Sequence, residues 1–321
     1  MNGPCEGRDV TVGTVGGGVQ LVEGVDLAVE AGAMLGIVGE TGAGKTVTMR
    51  ALLGLLPPGV RAHGELRVNG DVVSLARVGE LRRLLGSETS VVLQNPVGML
   101  DPMVRVGDQL VEGVVRKGVL RPADARARAV SLLGQMGFRA VEHVLTLYPF
   151  QLSGGMAQRV TIAMGMMPGP RLLVVDEPTS ALDANVRLEV LRLFKRLAQE
   201  EGTAVILVSH DLGLVSHFCD TIAVMYAGRV VEHGPTRELV ARPAHPYTVA
   251  LLDASATLTA RRRVPLRVLP GAPPRPGHWP AGCVFAPRCP HAQERCVAER
   301  PLPTADGSRG WACHFPRIEQ A

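Results

Sequence analysis

The feature that most constrains the fold of this chain is a glycine-rich motif, G-x-x-x-x-G-K-T, at residues 39–46. An apolar segment (MLGIVG) runs into the motif and an apolar helical segment (VTMRALLGLL) follows it. Glycines allow successive backbone N–H groups to converge on phosphate oxygens, and the helix N-terminus adds a partial positive charge. The strand–turn–helix context therefore predicts a phosphate-binding loop (P-loop) in an α/β domain and disfavours a turn that binds nothing.

The P-loop supplies the first set of candidate nucleotide-binding residues. Lys45 is expected to reach the β- and γ-phosphates, and the Thr46 hydroxyl is expected to ligate Mg²⁺. The full set predicted to contact the nucleotide here is Gly39, Glu40, Thr41, Gly42, Ala43, Gly44, Lys45, Thr46 and Val47.

A second motif, LLVVDEP at residues 172–178, has four apolar residues followed by two acids. This pattern predicts a buried strand that presents carboxylates at its C-terminal end, where open α/β sheets bind ligands. Asp176 is placed to hold the Mg²⁺ shell, and Glu177 to polarise the attacking water as general base. The alternative, a turn with two exposed acids, is disfavoured beside a P-loop.

The rest of the chain divides into two compositions. Residues 1–252 alternate apolar runs with helical stretches, which predicts a largely parallel sheet, and residues 96–168 predict a helical subdomain. An Arg/Pro-rich connector opens the irregular, Cys-rich extension at 253–321. The clearest helix is predicted at 186–201, with Asp183 as a possible cap, and an amphipathic helix is predicted at 123–137. Strands are predicted at 34–39, 91–94, 172–176, 204–209, 221–226 and 229–232.

Composition excludes several classes of protein. With 46% hydrophobic and 20% charged residues, the chain is globular rather than disordered. No apolar run approaches the roughly 20 residues that span a bilayer, so a soluble protein is expected. The net charge of +4 is too small to imply nucleic acid as a partner.

Four further motifs resemble those of ATP-binding-cassette (ABC) ATPases. LSGGMAQRV at 152–160 resembles the signature motif and SALD at 180–183 the D-loop, while Gln94 in LQNP resembles the Q-loop glutamine and His210 in VSHD the switch histidine. The resemblance implies a P-loop NTPase nucleotide-binding domain that binds ATP and Mg²⁺. A different class, a soluble ABC ATPase of DNA repair or ribosomes, is disfavoured because the chain has one cassette and no coiled-coil heptads.

The same resemblance implies residue roles in a head-to-tail pair of cassettes. Ser153, Gly154 and Gly155 of one chain would cap the ATP held by the other. His210 would contact the γ-phosphate and Gln94 the Mg²⁺ or attacking water, with Asp183 of the D-loop also at the nucleotide. One departure is the absence of an aromatic residue at 10–19, where the family stacks adenine and where Val12 is nearest to that position. Weaker affinity for adenine or looser selectivity for the base is therefore expected.

The C-terminal third resembles the ATPases of oligopeptide and dipeptide importers, and nickel importers share much of the pattern. The matching segments are 224–252, 282–296 (GCVFAPRCPHAQERC) and 312–315 (ACHF). This implies an ATP-hydrolysing subunit at the cytoplasmic face of the cell membrane, paired with an identical or homologous cassette. Two permease subunits and an extracellular solute-binding protein would complete the importer. The segment at 93–102 would face the permease's coupling helix. Uptake of nickel or another small solute is the alternative.

Cys283, Cys289, Cys296 and Cys313 lie in this extension, separated by five, six and sixteen residues. Four thiolates suit structural zinc or an iron–sulfur cluster about equally, although the close C-x-x-C pairs usual for zinc are absent. Disulfides are disfavoured in a reducing cytosol. The resemblance favours a [4Fe–4S] cluster over Zn²⁺, with His291 and His314 as possible substitute ligands.

Overall fold

A computed structural model describes residues 4–93, 97–178, 184–259 and 269–317. Within these residues, two sheets form the framework. Their strands are β1 (Cys5–Thr14), β2 (Gln20–Val29), β3 (Met34–Val38), β4 (Val60–Val68), β5 (Asp71–Ser74), β6 (Thr89–Val92), β7 (Leu172–Asp176), β8 (Ala204–Ser209), β9 (Thr221–Tyr226), β10 (Arg229–Pro235), β11 (Thr304–Asp306) and β12 (Arg309–Trp311).

Helices cover and connect these sheets. They are α1 (Lys45–Leu52), α2 (Val78–Leu84), α3 (Val106–Arg116), α4 (Pro122–Gln135), α5 (Val141–Thr146), α6 (Gly154–Met166), α7 (Ala184–Glu201), α8 (Leu212–Val215), α9 (Thr236–Ala241), α10 (Pro246–Thr259) and α11 (Glu294–Ala298). Short 3-10 turns lie at Val97–Met99, Pro149–Gln151 and Ala286–Arg288.

The larger sheet has the strand order β11-β12-β10-β9-β3-β8-β7-β6, and its five strands from β9 to β6 are parallel. Along β7, Leu173 and Val175 pack into one hydrophobic cluster and Leu172 and Val174 into another. The sheet is therefore buried on both faces, as parallel sheets are. The predicted α/β class is confirmed.

The two faces are covered by different parts of the chain. The cluster on one face includes residues of α3, α4 and α6, which belong to the predicted helical subdomain. The cluster on the other face includes α1 and the smaller antiparallel sheet, of order β2-β1-β4-β5. Sequence reasoning missed this second sheet entirely.

One predicted strand is misplaced. The strand predicted at 91–94 is β6, which begins at Thr89 and ends at Val92. The hydroxyl side chains of Thr89 and Ser90 are buried in the sheet, and the apolar pattern did not reveal them. Asp183, the predicted cap of α7, lies outside the described residues.

The C-terminal extension packs against the main body. β12 pairs with β10, with Trp311 opposite Glu232. Phe285 is buried in the same hydrophobic cluster as the parallel sheet, 5.3 Å from the ring of Tyr226. The apolar residues of this short segment thus pack into the hydrophobic core of the main domain. The predicted domain boundary at 252/253 stays a prediction.

Candidate active site

The P-loop connects the end of β3 to the start of α1. Gly39 and Gly44 adopt φ of 155° and 98°. A Cβ at Gly39 would overlap the carbonyl oxygen of Met225, and one at Gly44 would lie 3.2 Å from the Cα of Gly228. Glycine is therefore required at both positions, because the end of β9 and the turn that follows it lie in contact with the loop. Gly44 is the N-cap of α1, so the free N–H groups of that helix lie at the loop.

Lys45 holds the P-loop closed. Its ammonium group donates hydrogen bonds to the carbonyl oxygens of Gly39 (2.7 Å) and Glu40 (3.1 Å), and the residue is only 6% exposed. Burial lowers the pKa of Lys45, and the carboxylates of Glu177, Asp176 and Glu40 act in the opposite direction. The ammonium is therefore held by loop carbonyls beside three acids.

The other candidate residues of the loop differ in their exposure to solvent. Thr41 and Gly42 are exposed, Thr46 and Val47 are half-buried, and Ala43 is buried. The N–H of Ala43 donates to the Glu40 carbonyl at 3.1 Å, and its own carbonyl accepts from the N–H of Gly228 at 2.9 Å. The loop is thus tied both to itself and to the β9–β10 turn.

Two oxygen donors suited to Mg²⁺ meet beside the loop. The Thr46 hydroxyl donates to a carboxylate oxygen of Asp176 at 3.2 Å. Asp176 is the last residue of β7, where burial raises its pKa and the hydrogen bond from Thr46 lowers it. Hydroxyl and carboxylate oxygens are ligands that Mg²⁺ takes in phosphate sites.

Glu177 and His210 form a second pair at the same edge of the sheet, where Glu177 follows β7 and His210 follows the neighbouring strand β8. Glu177 adopts a left-handed φ of 45°, and its N–H donates to the Val208 carbonyl at 3.1 Å. Its Oε1 lies 3.4 Å from Nδ1 of His210, which follows β8 directly. The strained backbone turns the Glu177 carboxylate away from the course of β7 and toward the histidine.

The predicted signature residues lie at the start of α6. Ser153 is the N-cap of this helix, and its hydroxyl accepts from the N–H of Met156 at 3.3 Å. Ser153 and Gly154 are exposed, and Gly155 is half-buried. The Gln158 side chain donates to the carbonyl of Pro178, which ties α6 to the segment after β7. Gln94 and Asp183 lie outside the described residues.

Two contacts to the P-loop were missed by sequence reasoning. The Tyr247 hydroxyl accepts from the N–H of Glu40 at 2.8 Å, and Arg288 pairs with the Glu40 carboxylate at 2.6 Å. Both residues are more than 200 positions from the loop, and no local pattern marks them. Val12, the position considered for adenine stacking, is fully buried in β1, so its side chain faces the core. Looser base selectivity stays a prediction.

The four cysteines of the extension line one small cavity, together with His245, His291 and His314. None of these four cysteines, all of which the structure describes, forms a disulfide. Burial raises the pKa of Cys313 to about 11 and raises the pKa of Cys283 and Cys289 as well. Among the described residues, no three His, Cys, Asp or Glu side chains are grouped so as to hold a metal ion.

Two family models match the chain. The model for the ABC transporter matches residues 22–180, and the model for the oligopeptide/dipeptide transporter C-terminal region matches residues 231–296. Together they cover the P-loop, the acids after β7, the signature segment and three of the four clustered cysteines.

The chain is also similar to characterised relatives over nearly its whole length. It is 39% identical to the oligopeptide transport ATP-binding protein OppD of Escherichia coli (strain K12), over 96% of this chain and 91% of that protein. It is 40% identical to the dipeptide transport ATP-binding protein DppD of the same organism, over 92% of this chain and 90% of that protein.

Solved structures share the fold. Cassette cbiO1 from Clostridium perfringens, part of the ABC transporter complex cbiONQ, matches with a TM-score of 0.64 and 25% identity, over 75% of this chain and 92% of that one. The ABC transporter cassette MJ0796, solved as a dimer, matches with a TM-score of 0.61 and 26% identity, over 73% of this chain and 99% of that one. In the described part of this chain, no helix has the length and apolarity needed to cross a membrane.

Proposed function

Because this chain belongs to the ATP-binding subunits of oligopeptide/dipeptide ABC transporters, we propose that its P-loop, its two acids after β7 and His210 perform the ATP hydrolysis that drives peptide import. One observation carries the assignment of roles: Lys45, the Thr46–Asp176 pair and the Glu177–His210 pair meet at the C-terminal edge of one parallel sheet. This edge is where open α/β sheets bind ligands.

Each group has a distinct task in this proposal. The P-loop N–H groups and Lys45 would hold the β- and γ-phosphates, and Thr46 and Asp176 would hold Mg²⁺. Glu177 takes a proton from the attacking water, and His210, 3.4 Å away, orients that carboxylate and reaches the γ-phosphate. When bound, Mg²⁺ neutralises charge that develops on the phosphate oxygens.

We propose that a second cassette completes the site. The P-loop contacts one side of a triphosphate and leaves the γ-phosphate open to water. Ser153 and Gly154 are exposed at the N-terminus of the 13-residue α6, which is an anion-binding end of a helix. Placed across a head-to-tail dimer, this end would supply donors to the open side of the γ-phosphate. The related cassette MJ0796, solved as a dimer, supports the pairing of two cassettes. ATP then joins the two chains and hydrolysis releases them.

Two permease subunits and an extracellular solute-binding protein complete the proposed importer, with this chain at the cytoplasmic face of the membrane. The test is uptake into proteoliposomes that contain the permeases and enclose MgATP, with the binding protein outside. We expect accumulation of di- or oligopeptide, and strongly reduced accumulation when Lys45→Ala replaces the wild-type chain. Accumulation of nickel without peptide would contradict the peptide assignment and favour the alternative.

We further propose that the cysteine cavity holds a [4Fe–4S] cluster ligated by Cys283, Cys289, Cys296 and Cys313. All four cysteines line one cavity, which supports a site with four thiolate ligands. The choice of the cluster over zinc rests on the resemblance to the ATPases of peptide importers. When bound, the cluster would supply a rigid cross-link among the loops of the extension.

His245 supports an anionic occupant of this cavity. Its Nδ1 accepts from the N–H of Tyr247 at 3.1 Å, and burial lowers its pKa to about 3, so the ring is neutral and carries its proton on Nε2. That buried Nε2 has no hydrogen-bond partner among the described residues, although the ring borders the cavity. A thiolate or sulfide sulfur would accept a hydrogen bond from this N–H group.

The cluster predicts a measurable iron content. Anaerobically purified protein is expected to contain about four iron atoms per chain and to show the broad visible absorption of iron–sulfur charge transfer. Cys289→Ser should lower both signals, since it removes one ligand. The buried Cys219→Ser, outside the cavity, is the matched control and should keep them. Protein with stoichiometric zinc, or with neither metal, would contradict the cluster.

A further inference from the structure

Arg288 of the Cys-rich extension forms a two-pronged ion pair with the P-loop. Its Nη1 lies 2.6 Å from Oε2 of Glu40 and its Nη2 lies 3.1 Å from Oε1. The Arg288 side chain is only 6% exposed. Two parallel N–H···O bonds between a guanidinium and a carboxylate are stronger and more directional than a single contact. This pair, with a buried guanidinium and a half-buried carboxylate, fixes the relative position of the two segments that carry it.

Arg288 is itself held from several sides. Its Nε donates to the carbonyl of Pro270 at 2.8 Å, and its Nη1 donates to the Tyr226 hydroxyl at 3.2 Å. Its guanidinium carbon lies 5.8 Å from the centre of the Tyr226 ring. Because its partners come from both the extension and β9, the guanidinium is held in one defined position. Arg288 directly precedes Cys289 in the sequence.

Glu40 is the point where the P-loop meets this arginine. Its carbonyl accepts from Lys45 at 3.1 Å, and its N–H donates to the Tyr247 hydroxyl at 2.8 Å. A carboxylate in the loop that binds a triphosphate repels the ligand and attracts the ammonium of Lys45, which the ligand needs. Arg288 counters both effects, since it neutralises the carboxylate and holds it on the side of the extension.

We infer that Arg288 is a positioning residue for ATP binding, through which the Cys-rich extension fixes the Glu40 carboxylate and, with it, the P-loop and Lys45. The inference rests on the proposed function, because it requires that this loop bind MgATP. Arg288 touches no reacting atom, so its contribution should appear in nucleotide affinity and KM rather than in kcat.

The test uses the full chain and four variants. For Arg288→Ala, we expect about ten-fold weaker binding of MgADP by calorimetry and a similar rise in KM for ATP, with kcat largely retained. For the double variant Glu40→Gln/Arg288→Ala, we expect most of the affinity to return, because the unneutralised carboxylate is gone. Arg295→Ala, an exposed arginine of the same segment paired with Glu299, is the matched control and should leave KM unchanged.

Arg288→Lys covers the case in which the alanine variant does not fold. It keeps the charge but loses the two-pronged geometry, so we expect a smaller loss of affinity, about three-fold. Unchanged affinity in Arg288→Ala, or in Arg288→Lys should the alanine variant not fold, would overturn the inference while the proposed function stands. A loss that Glu40→Gln does not repair would also overturn it. Failure of the wild-type chain to bind MgADP or MgATP would instead count against the proposed function.

Discussion

Glu177→Gln is expected to lower the rate of ATP hydrolysis by about 10²–10⁴-fold and to leave MgATP affinity nearly unchanged. Gln keeps the size of the side chain and an oxygen within reach of His210, but it has no basic oxygen to take a proton from water. The Glu177 carboxylate is also not among the groups that hold the phosphates in this account. With binding intact and hydrolysis blocked, ATP should accumulate between two cassettes and trap the dimer.

Two measurements check this prediction, namely phosphate release from the transporter complex and the elution volume of the isolated chain with and without MgATP. Glu80→Gln is a suitable control, because Glu80 lies in α2 and pairs with Arg77 at an exposed position. It should hydrolyse ATP at the wild-type rate and show no trapped dimer. Rapid hydrolysis by the Glu177 variant would refute its assignment as general base.

Lys45→Ala is expected to weaken MgATP binding by about ten- to a hundred-fold, the loss that follows removal of charge-assisted hydrogen bonds. The loop N–H groups cannot replace its charge. The carbonyls of Gly39 and Glu40 would also lose the donor that holds the loop closed. Equilibrium binding of MgATP to the purified chain measures the effect, and hydrolysis should fall with it.

Lys117→Ala is the control of the same residue type. Lys117 donates to carbonyls at the end of α2, among them that of Arg82 at 3.2 Å. Its hydrogen bonds within the described residues reach none of the residues assigned to the nucleotide. Its substitution should leave nucleotide affinity unchanged. Wild-type affinity in the Lys45 variant would contradict the role of Lys45 in phosphate binding.

The sequence predicts those parts of the site in which one local motif encodes both the functional residues and the secondary structure that positions them. The glycines of the P-loop must lie between an apolar strand and a helix, so β3, the loop and α1 follow from one motif. The acids after β7 are predictable for a similar reason. The four residues before Asp176 are apolar and buried in the sheet, so a charged side chain is tolerated only at the end of the strand. The carboxyl ends of β3, β7 and β8 then bring these residues together.

Other parts of the fold depend on contacts that local patterns do not encode. β1 and β2 carry glycines and register shifts, so their alternation of buried and exposed residues is irregular. β6 carries buried hydroxyl residues that read as polar. β1 and β2 form because the main sheet offers an apolar face that must be covered, and β6 forms by pairing with β7 at the edge of that sheet. Both causes are tertiary.

The link between the Cys-rich extension and the P-loop is the clearest case. From the sequence alone, Arg288 beside Cys289 is interpreted as an exposed charge in a polar loop. Glu40 occupies one of the variable positions of the P-loop motif, so the motif assigns it no role. Their pairing across 248 residues arises only because Phe285 and β12 attach the extension to the core beside β9 and β10.

We infer that this chain binds and hydrolyses magnesium-bound ATP in a site shared between two cassettes. The decisive test is phosphate release from MgATP, measured for the chain alone and with its permeases across a range of protein concentrations. We expect hydrolysis whose specific rate rises with cassette concentration for the chain alone, and robust turnover in the assembled complex. Failure to bind or cleave MgATP under either condition would contradict it.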